Sequence, residues 1–212
     1  MRKFVLTIPA AAAAALALAA LAAPSDAQEM GARPQAAPAA ATSPALFDDA
    51  GALVRPRTYR RWVFVGAPLT PNDMNDGHAA FPEFHSVYVD PASYDHFKQS
   101  GTWRDGTVVL KELVSVGTKA SSSGKGYFMG EFLGLEAAVK SRRRFPDAPG
   151  NWGFFRFTDE HGGAVHEKAT ALPQSACAAC HQASANDDLI FTQHYPVLRA
   201  AKAFGEGDPE NR

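Results

Sequence analysis

Both cysteines of the 212-residue chain lie in one short motif, Cys177-Ala178-Ala179-Cys180-His181. Two cysteines at this spacing, followed directly by a histidine, are typical of a c-type haem attachment site. In such a site the two thiols add to the vinyl groups of haem, and the histidine ligates the iron from the proximal side. The motif therefore predicts one haem c per chain, held covalently by Cys177 and Cys180, with His181 as the metal ligand.

Two other chemistries use a Cys-x-x-Cys pair. The pair can form a dithiol–disulfide couple, or it can supply half of a zinc site. The chain has no second cysteine pair that would complete a zinc site. A thioredoxin-like motif is expected near a βαβ pattern rather than close to the C-terminus. Haem attachment is favoured over both alternatives.

The sixth coordination position of the predicted haem iron has no obvious ligand from the chain. Small electron-transfer cytochromes c use a methionine downstream of the motif, but no methionine follows His181. An open position indicates ligand binding or catalysis rather than electron transfer alone. The side chains that could still occupy it are His78, His85, His96, His161, His166 and His194, together with Met30, Met74 and Met129.

The N-terminal region predicts export. Arg2 and Lys3 precede an apolar, alanine-rich run over 4–23, and small residues follow at Ser25 and Ala27. The run is long enough for a membrane anchor, but it is mostly alanine and ends at a plausible cleavage site. We therefore expect a signal peptide over 1–27, a disordered Ala/Pro-rich linker over 28–45 and one haem domain over 46–212. Haem c is assembled on the exported side of the bacterial membrane, which agrees with a periplasmic location.

The charge balance limits the general partners of the chain. Its 21 basic and 22 acidic side chains give a net charge of −1, so neither nucleic acid nor a membrane surface is indicated. We expect no membrane insertion after cleavage of the signal peptide. The local basic run over 140–144 is expected to be a solvated face, with docking of an acidic redox partner as the alternative.

The elements that must position the haem site are mostly strands. Segments rich in β-branched and aromatic residues predict an α+β, mainly β fold with an antiparallel sheet of about five strands. Asp90 and Pro91 open a short helix that ends near Gly101. A further short helix is expected over 135–143. The C-terminal segment is expected to be helical over 175–183, which carries the motif, and over 192–203. The predicted strands cover 61–65, 86–89, 107–116, 127–133 and 153–157.

Three ionisable side chains stand out in or beside these strands, namely Lys111, Glu131 and His85. Alternation places Lys111 and Glu112 on opposite faces of one strand. Such a lysine either reaches water at the edge of the sheet or meets a carboxylate or a reactive centre. Glu131 is the lone ionisable residue of an apolar strand, and is expected to pair with a base or to have a functional pKa. His85 lies among aromatic residues, and position alone does not bring the three together.

Several blocks of the sequence resemble the cytochrome P460 family. The similarity extends from about residue 58 to residue 202, and CAACH lies in the C-terminal place that the family has. The other matching blocks are YRRWVFV at 59–65, LTPN at 69–72, GTVVLKEL at 106–113, GYFMG at 126–130, RFPD at 144–147, PGNW at 149–152 and YPVL at 195–198.

The resemblance implies an exported, mainly β homodimer with one haem c per subunit. A lysine forms an additional covalent bond to the haem macrocycle in this family, and its position falls on Lys111. Members oxidise hydroxylamine to nitrous oxide or nitric oxide and pass electrons to an external redox protein. The related cytochromes c′-β lack the lysine and bind nitric oxide or similar gases without turnover. Lys111 therefore favours the oxidoreductase over the gas-binding alternative, with a simple electron-transfer cytochrome as the third hypothesis.

The expected reaction needs a base and groups that orient the substrate, and two residues are our candidates for these roles. Glu131 is our candidate for the base that deprotonates hydroxylamine, and Glu136 and Glu167 are other available carboxylates. General bases of this kind typically contribute about 10²–10⁴-fold to a rate. His85 lies where the pattern of the family can carry an arginine near the distal face, so this chain departs from that pattern in how it orients or protonates its substrate.

Overall fold

Antiparallel strands and three α-helices make up the part of the chain that the computed structural model describes, residues 45–159 and 163–205. The signal peptide and all but the last residue of the expected linker lie outside these residues and stay predictions. No helix of the described part is long and apolar enough to cross a membrane. Its strands are β1 (Leu53–Val54), β2 (Val63–Gly66), β3 (Phe84–Val89), β4 (Val108–Val116), β5 (Ala120–Ser121), β6 (Gly124–Lys125), β7 (Met129–Lys140), β8 (Trp152–Arg156) and β9 (Lys168–Ala169), and its α-helices are α1 (Pro91–Ser100), α2 (Gln174–Ser184) and α3 (Pro196–Gly205).

Five of these strands form the main sheet in the order β2-β3-β4-β7-β8. Every neighbouring pair is antiparallel. The two longest strands, β4 and β7, lie side by side near the middle, while β1 with β9 and β5 with β6 form two small separate sheets. This architecture confirms the prediction of a mainly β, α+β fold with about five antiparallel strands.

The register of the sheet aligns four residues in one row. Val87 lies opposite Lys111, Lys111 opposite Glu136, and Glu136 opposite Arg156. Residues directly opposite each other in antiparallel strands share a face, so this row projects from one face of the sheet. Glu112 projects from the other face, where it accepts hydrogen bonds from Tyr59 and Arg60, as the alternation along β4 predicts.

The two faces of the sheet bury separate apolar cores. On the face that carries Lys111, Val109 and Phe154 pack with Ala178 of α2 and Leu198 of α3. The opposite face buries Leu110, Leu135 and Phe155 together with Leu53 and Tyr59. The C-terminal helices are thus held by apolar burial against the same face that carries the polar row.

Helix α1 has the ends that the sequence predicts. The Asp90 carboxylate accepts from the backbone N–H of Ser93 at 2.9 Å, and Pro91 occupies the first turn. Gly101 ends the helix with φ +67°, and its N–H donates to the Phe97 carbonyl at 2.8 Å. The other oxygen of Asp90 accepts from the Val108 N–H at 2.9 Å, so one buried carboxylate joins α1 to the start of β4.

The prediction of a helix over 135–143 is wrong, because β7 runs as one strand from Met129 to Lys140. Leu, Glu, Ala and Lys favour helices by intrinsic propensity, but here they pair with β4 on one side and β8 on the other. Burial between two strands outweighs the modest local preference. The same strand carries two register shifts, one between Leu113 and Val114 and one between Val114 and Val116 of its partner β4.

Candidate functional site

A cavity of about 390 Å³ is lined by the sheet, by α2 and by the segment that follows α2. Its walls are mostly apolar, with a few polar groups among them, which is typical of a cofactor or ligand site. Five of the six predicted site residues line it: Cys177, Cys180, His181, Lys111 and His85. The fold therefore brings together residues that lie far apart in the sequence.

Glu131 is the predicted site residue that the structure does not bring to this cavity. It is exposed on β7, and its backbone N–H donates to the Ser115 hydroxyl at 2.8 Å. Within this stretch β7 has extra residues relative to β4: Leu113 faces Gly134, but Val114 already faces Phe132. Such bulges break strict alternation, so the face expected for Glu131 from a regular strand does not apply.

Glu136 is the carboxylate of β7 that does line the cavity. Its two oxygens lie 2.7 Å from Lys111 Nζ and 3.1 Å from Arg156 Nε. Burial acts to raise the pKa of Glu136, but Lys111 and then Arg156 outweigh burial, so the net pKa lies below its ordinary value. A partly buried, ionised carboxylate between two cations thus forms one wall of the cavity. The sequence names Glu136 as an available carboxylate, but only the strand register places it beside Lys111.

Helix α2 presents the haem motif to the cavity. Cys177, Cys180 and His181 are spaced i, i+3 and i+4, and residues at this spacing share one face of a helix. The His181 ring lies between Phe154 and Phe191, with centroid distances of 4.9 and 4.8 Å. Both cysteines are free thiols, and burial followed by the charge of Glu136 raises the pKa of Cys177.

His181 has a fixed tautomer. His181 Nδ1 lies 2.7 Å from the backbone carbonyl of Leu189, and a carbonyl only accepts, so Nδ1 carries the proton. Burial lowers the pKa of His181, which keeps the ring neutral. Nε2 is left as the nitrogen available to a metal, the arrangement expected of an iron-ligating histidine.

His85 forms a second polar feature of the cavity wall, beside Phe81 and Lys111. Its ring meets the Phe81 ring edge-on at 6.0 Å, and Lys111 Nζ lies 5.8 Å from the centre of the same ring. Nε2 of His85 is buried, 3.5 Å from a Glu83 oxygen, and has no hydrogen-bond partner. Burial and then the charge of Lys111 lower the pKa of His85, so a neutral imidazole faces the cavity.

The candidates for a sixth iron ligand can be compared with this geometry. Among the described residues, His85 and His194 are the candidates that line the cavity. His194 stacks on Phe191 at 6.0 Å, and Phe191 contacts the His181 ring; His194 therefore lies on the His181 side of the cavity. His161 and Met30 lie outside the described residues.

The family model of cytochrome P460 matches residues 56–192. The chain belongs to the cytochrome P460 family. The match spans every strand of the main sheet and the whole haem motif, which confirms the resemblance seen in the sequence. No curated protein matches the chain.

Membership of the cytochrome P460 family makes the chain a haem protein, and the residues of the cavity fit that cofactor. The site offers two free thiols on one helix, a neutral imidazole with an available Nε2, and apolar walls on both the sheet and the C-terminal segment. Within the described ranges no group of three or more His, Cys, Asp or Glu side chains gathers to hold a bare metal ion. The half-zinc interpretation therefore finds no additional ligands in this part of the chain.

Proposed function

We propose that this protein is a periplasmic c-type haem oxidoreductase that oxidises hydroxylamine and passes the electrons to an external redox protein. One observation carries the proposal: Lys111 lines the same cavity as Cys177, Cys180 and His181. In the cytochrome P460 resemblance, a lysine bonded to the haem macrocycle distinguishes the enzymes from the gas-binding relatives. Family membership and the shared cavity both support this function.

The chain would hold its cofactor from two sides. Cys177 and Cys180 provide thioether bonds from α2, His181 Nε2 provides the proximal ligand, and Lys111 Nζ provides a third covalent attachment from the sheet. When bound, haem supplies an iron that accepts electrons from hydroxylamine and has an open position for it. The other side chains of the cavity bind substrate, exclude water and accept protons.

We assign the role of proton acceptor to Glu136 rather than Glu131, because Glu136 lines the cavity and Glu131 is exposed. Once Lys111 Nζ is bonded to the macrocycle it is no longer a free ammonium group, and Glu136 keeps Arg156 as its cation. Loss of an adjacent positive charge raises the pKa of a carboxylate. The cross-link would therefore adjust Glu136 toward proton transfer with the substrate.

His85 and Phe81 would act on the substrate itself. The His85 ring lines the cavity, and a neutral imidazole has one nitrogen that donates and one that accepts, which suits a hydrogen bond to the oxygen or nitrogen of hydroxylamine. Phe81 supplies an apolar ring next to it. Together these groups would orient a small polar ligand against an otherwise apolar wall.

The proposed reaction balances with an external acceptor. Two molecules of hydroxylamine give one of nitrous oxide and one of water, and they release four electrons and four protons. The electrons leave to a redox protein, and the protons leave by way of Glu136 to solvent. Nitric oxide would form instead from a single hydroxylamine without coupling of two nitrogen atoms, with release of three electrons and three protons to the same acceptors.

Mass spectrometry of proteolytic haem peptides, combined with turnover assays, tests this function. We expect the peptide that contains Lys111 to stay joined through haem to the CAACH peptide. A Lys111→Met variant should keep haem on Cys177 and Cys180 but lose oxidation of hydroxylamine with an artificial acceptor. Recovery of Lys111 on an unmodified peptide, or full turnover by the variant, would contradict the proposal.

A gas-binding protein of the cytochrome c′-β type is the second candidate, and one observation favours it. Lys111 Nζ lies 2.7 Å from a Glu136 oxygen, and a lysine in such an ion pair is protonated and therefore a poor nucleophile. If the pair persists in the haem-loaded protein, Lys111 forms no bond to haem. Binding of nitric oxide to the reduced protein without any turnover of hydroxylamine would support this alternative.

A further inference from the structure

The turn that follows α2 has an unusual backbone conformation. The backbones of Asp187 and Ile190 are paired by two hydrogen bonds. The Asp187 N–H donates to the Ile190 carbonyl at 3.3 Å, and the Ile190 N–H donates to the Asp187 carbonyl at 3.0 Å. Between them, Asp188 and Leu189 have φ of +48° and +65°. Positive φ at both central residues is typical of a type I′ turn, which favours Asn and Gly. A leucine is disfavoured there, so contacts elsewhere must hold this turn in place.

Leu189 and Ile190 of the turn pack into the apolar core, and the Thr192 hydroxyl donates to Asp187. Two lysines add ion pairs to these contacts. Lys140, at the end of β7, is buried, and its Nζ donates to Asp188 Oδ2 at 2.7 Å and to the Gly150 carbonyl at 2.5 Å. The same ammonium lies 5.4 Å from the centre of the Trp152 ring. Lys202 of α3 donates to the neighbouring Asp187 at 2.7 Å. The sheet and the last helix thus fix the turn from two sides.

The approach of Asp188 to Lys140 also depends on Gly150. Gly150 has φ +57°, a conformation that side chains rarely adopt, and an added Cβ would collide with Asp188 Oδ1. The chain therefore has a glycine where Asp188 needs space. The ion pair, the glycine and the turn form one packed unit beside the proximal side of the cavity.

This unit contains the acceptor of the His181 hydrogen bond. The carbonyl that accepts the His181 Nδ1 proton, at 2.7 Å, belongs to Leu189, the second central residue of the turn. The position of that carbonyl therefore depends on the turn conformation, and hence on Asp188 and Lys140. A strong hydrogen bond from Nδ1 increases the basicity of a metal-ligating imidazole.

We propose that Lys140 is a positioning residue for the proximal ligand, acting through Asp188 and the Leu189 carbonyl on His181. The inference rests on the haem attachment proposed above, but it does not depend on oxidation of hydroxylamine. A more basic imidazole stabilises ferric over ferrous iron, so the intact unit lowers the reduction potential of the haem. Lys140 thereby sets a property of the iron without contacting the cofactor.

Two variants separate positioning from simple charge effects. Lys140→Met removes a cation, and Asp188→Asn removes an anion from the same ion pair. A purely Coulombic effect on the iron would have opposite signs, because loss of a cation lowers the reduction potential and loss of an anion raises it. Loss of positioning has the same sign in both variants, because either change releases the turn and weakens the His181 hydrogen bond.

The test measures the haem-loaded protein by potentiometry, resonance Raman spectroscopy and hydrogen–deuterium exchange. We expect both variants to show a more positive midpoint potential, a lower iron–histidine stretching frequency in the ferrous state, and faster exchange of the amides over 185–191. Potentials that move in opposite directions, or unchanged potentials and stretching frequencies, would overturn the proposal.

Arg104→Met provides the matched control. Arg104 pairs with the buried Asp90 at 3.5 Å near α1, so this variant also removes the cation of an ion pair but leaves the turn intact. It should lower the unfolding temperature without any shift in potential or iron–histidine frequency. The absorption spectrum of each purified variant checks haem attachment separately. Absence of covalent haem from the unaltered protein would refute the attachment itself.

Discussion

Two glutamates on β7, five positions apart, have different environments. Glu136 lies in the cavity between Lys111 and Arg156, whereas Glu131 is exposed at an irregular part of the strand. Removing one partner of a partly buried ion pair usually costs more than the pair contributes, because the other charge is left uncompensated. Function and stability at Glu136 are therefore coupled, which makes a matched comparison of the two residues informative.

Glu136→Gln should reduce the rate of hydroxylamine oxidation by about 10²–10⁴-fold, the typical contribution of a general base. The amide retains the size of the side chain but does not accept a proton at neutral pH. Steady-state kinetics with an artificial acceptor measures the effect. Glu131→Gln makes the same change on the same strand and should leave the rate unaltered; the reverse pattern would return the role of base to Glu131.

His85 should make stability depend on pH. Its pKa in the folded protein lies below the ordinary value of 6.5, chiefly because of burial. Below pH 6.5 the unfolded chain therefore binds a proton that the folded protein does not, and the free energy of unfolding falls as the pH falls through this window. In denaturant titrations, His85→Gln should flatten this part of the profile. Equal slopes in the unaltered protein and in this variant would contradict the assignment.

At the scale of elements, the sequence predicts β4 far better than β7. In the apolar run of β4, successive side chains point to opposite faces of the sheet. The opposite orientations of Lys111 and Glu112 therefore follow from the two-residue period of a strand alone. In β7, residues 129–133 contain the bulges, and residues 135–140 favour helix by composition. Neither the bulges nor the pairing with β8 is a local property of the sequence. That is why Lys111 is identified in advance and its partner Glu136 is not.

The C-terminal segment likewise has one feature that the sequence predicts and one that it does not. The ligands in α2 are predicted because their chemistry requires a fixed spacing. The turn at 187–190 is not predicted, because Asp-Leu is a poor sequence for positive φ at both positions. Its conformation depends on Lys140, which lies far away in the sequence.

Asp90 offers a test at the level of elements, because it joins α1 to β4. Asp90→Ala should lower the free energy of unfolding by roughly 2–4 kcal/mol, since loss of an N-cap costs about 1 kcal/mol and an orphaned buried N–H, here that of Val108, costs about 1–3 kcal/mol. Thermal and denaturant unfolding measure the loss. Asp95→Ala, an exposed position of the same helix, should change stability little; a loss as large as that of Asp90→Ala would argue against the cap.

At the scale of the whole molecule, an exposed apolar patch on β7 and the basic run over 140–144 bear on assembly and partners. The homodimer and the redox partner stay predictions from the family resemblance. Met129, Phe132 and Leu133 are partly exposed on β7, and an apolar surface of this kind is what a second subunit could cover. The basic run over 140–144 is not a uniform solvated face, because Lys140 is buried.

Export is testable on the whole chain. We expect the mature protein to begin at Gln28 and to be recovered from the periplasm with haem attached, because covalent attachment takes place after export. N-terminal sequencing and mass spectrometry of the purified protein measure this. A chain that lacks residues 1–27 should accumulate in the cytoplasm without covalent haem, and haem attachment in that compartment would contradict the proposed route.

Lys111 on the sheet and Cys177 on α2 both line one cavity. If haem is bonded to both, it also becomes a cross-link between distant points of the polypeptide, in the manner of a disulfide. The unfolded chain would then keep the whole segment between Lys111 and Cys177 as a closed loop. By the loop-entropy relation, such a restraint reduces the freedom of the denatured ensemble by roughly 4 kcal/mol. The residue that distinguishes the enzyme from its gas-binding relatives would thus also make the protein harder to unfold.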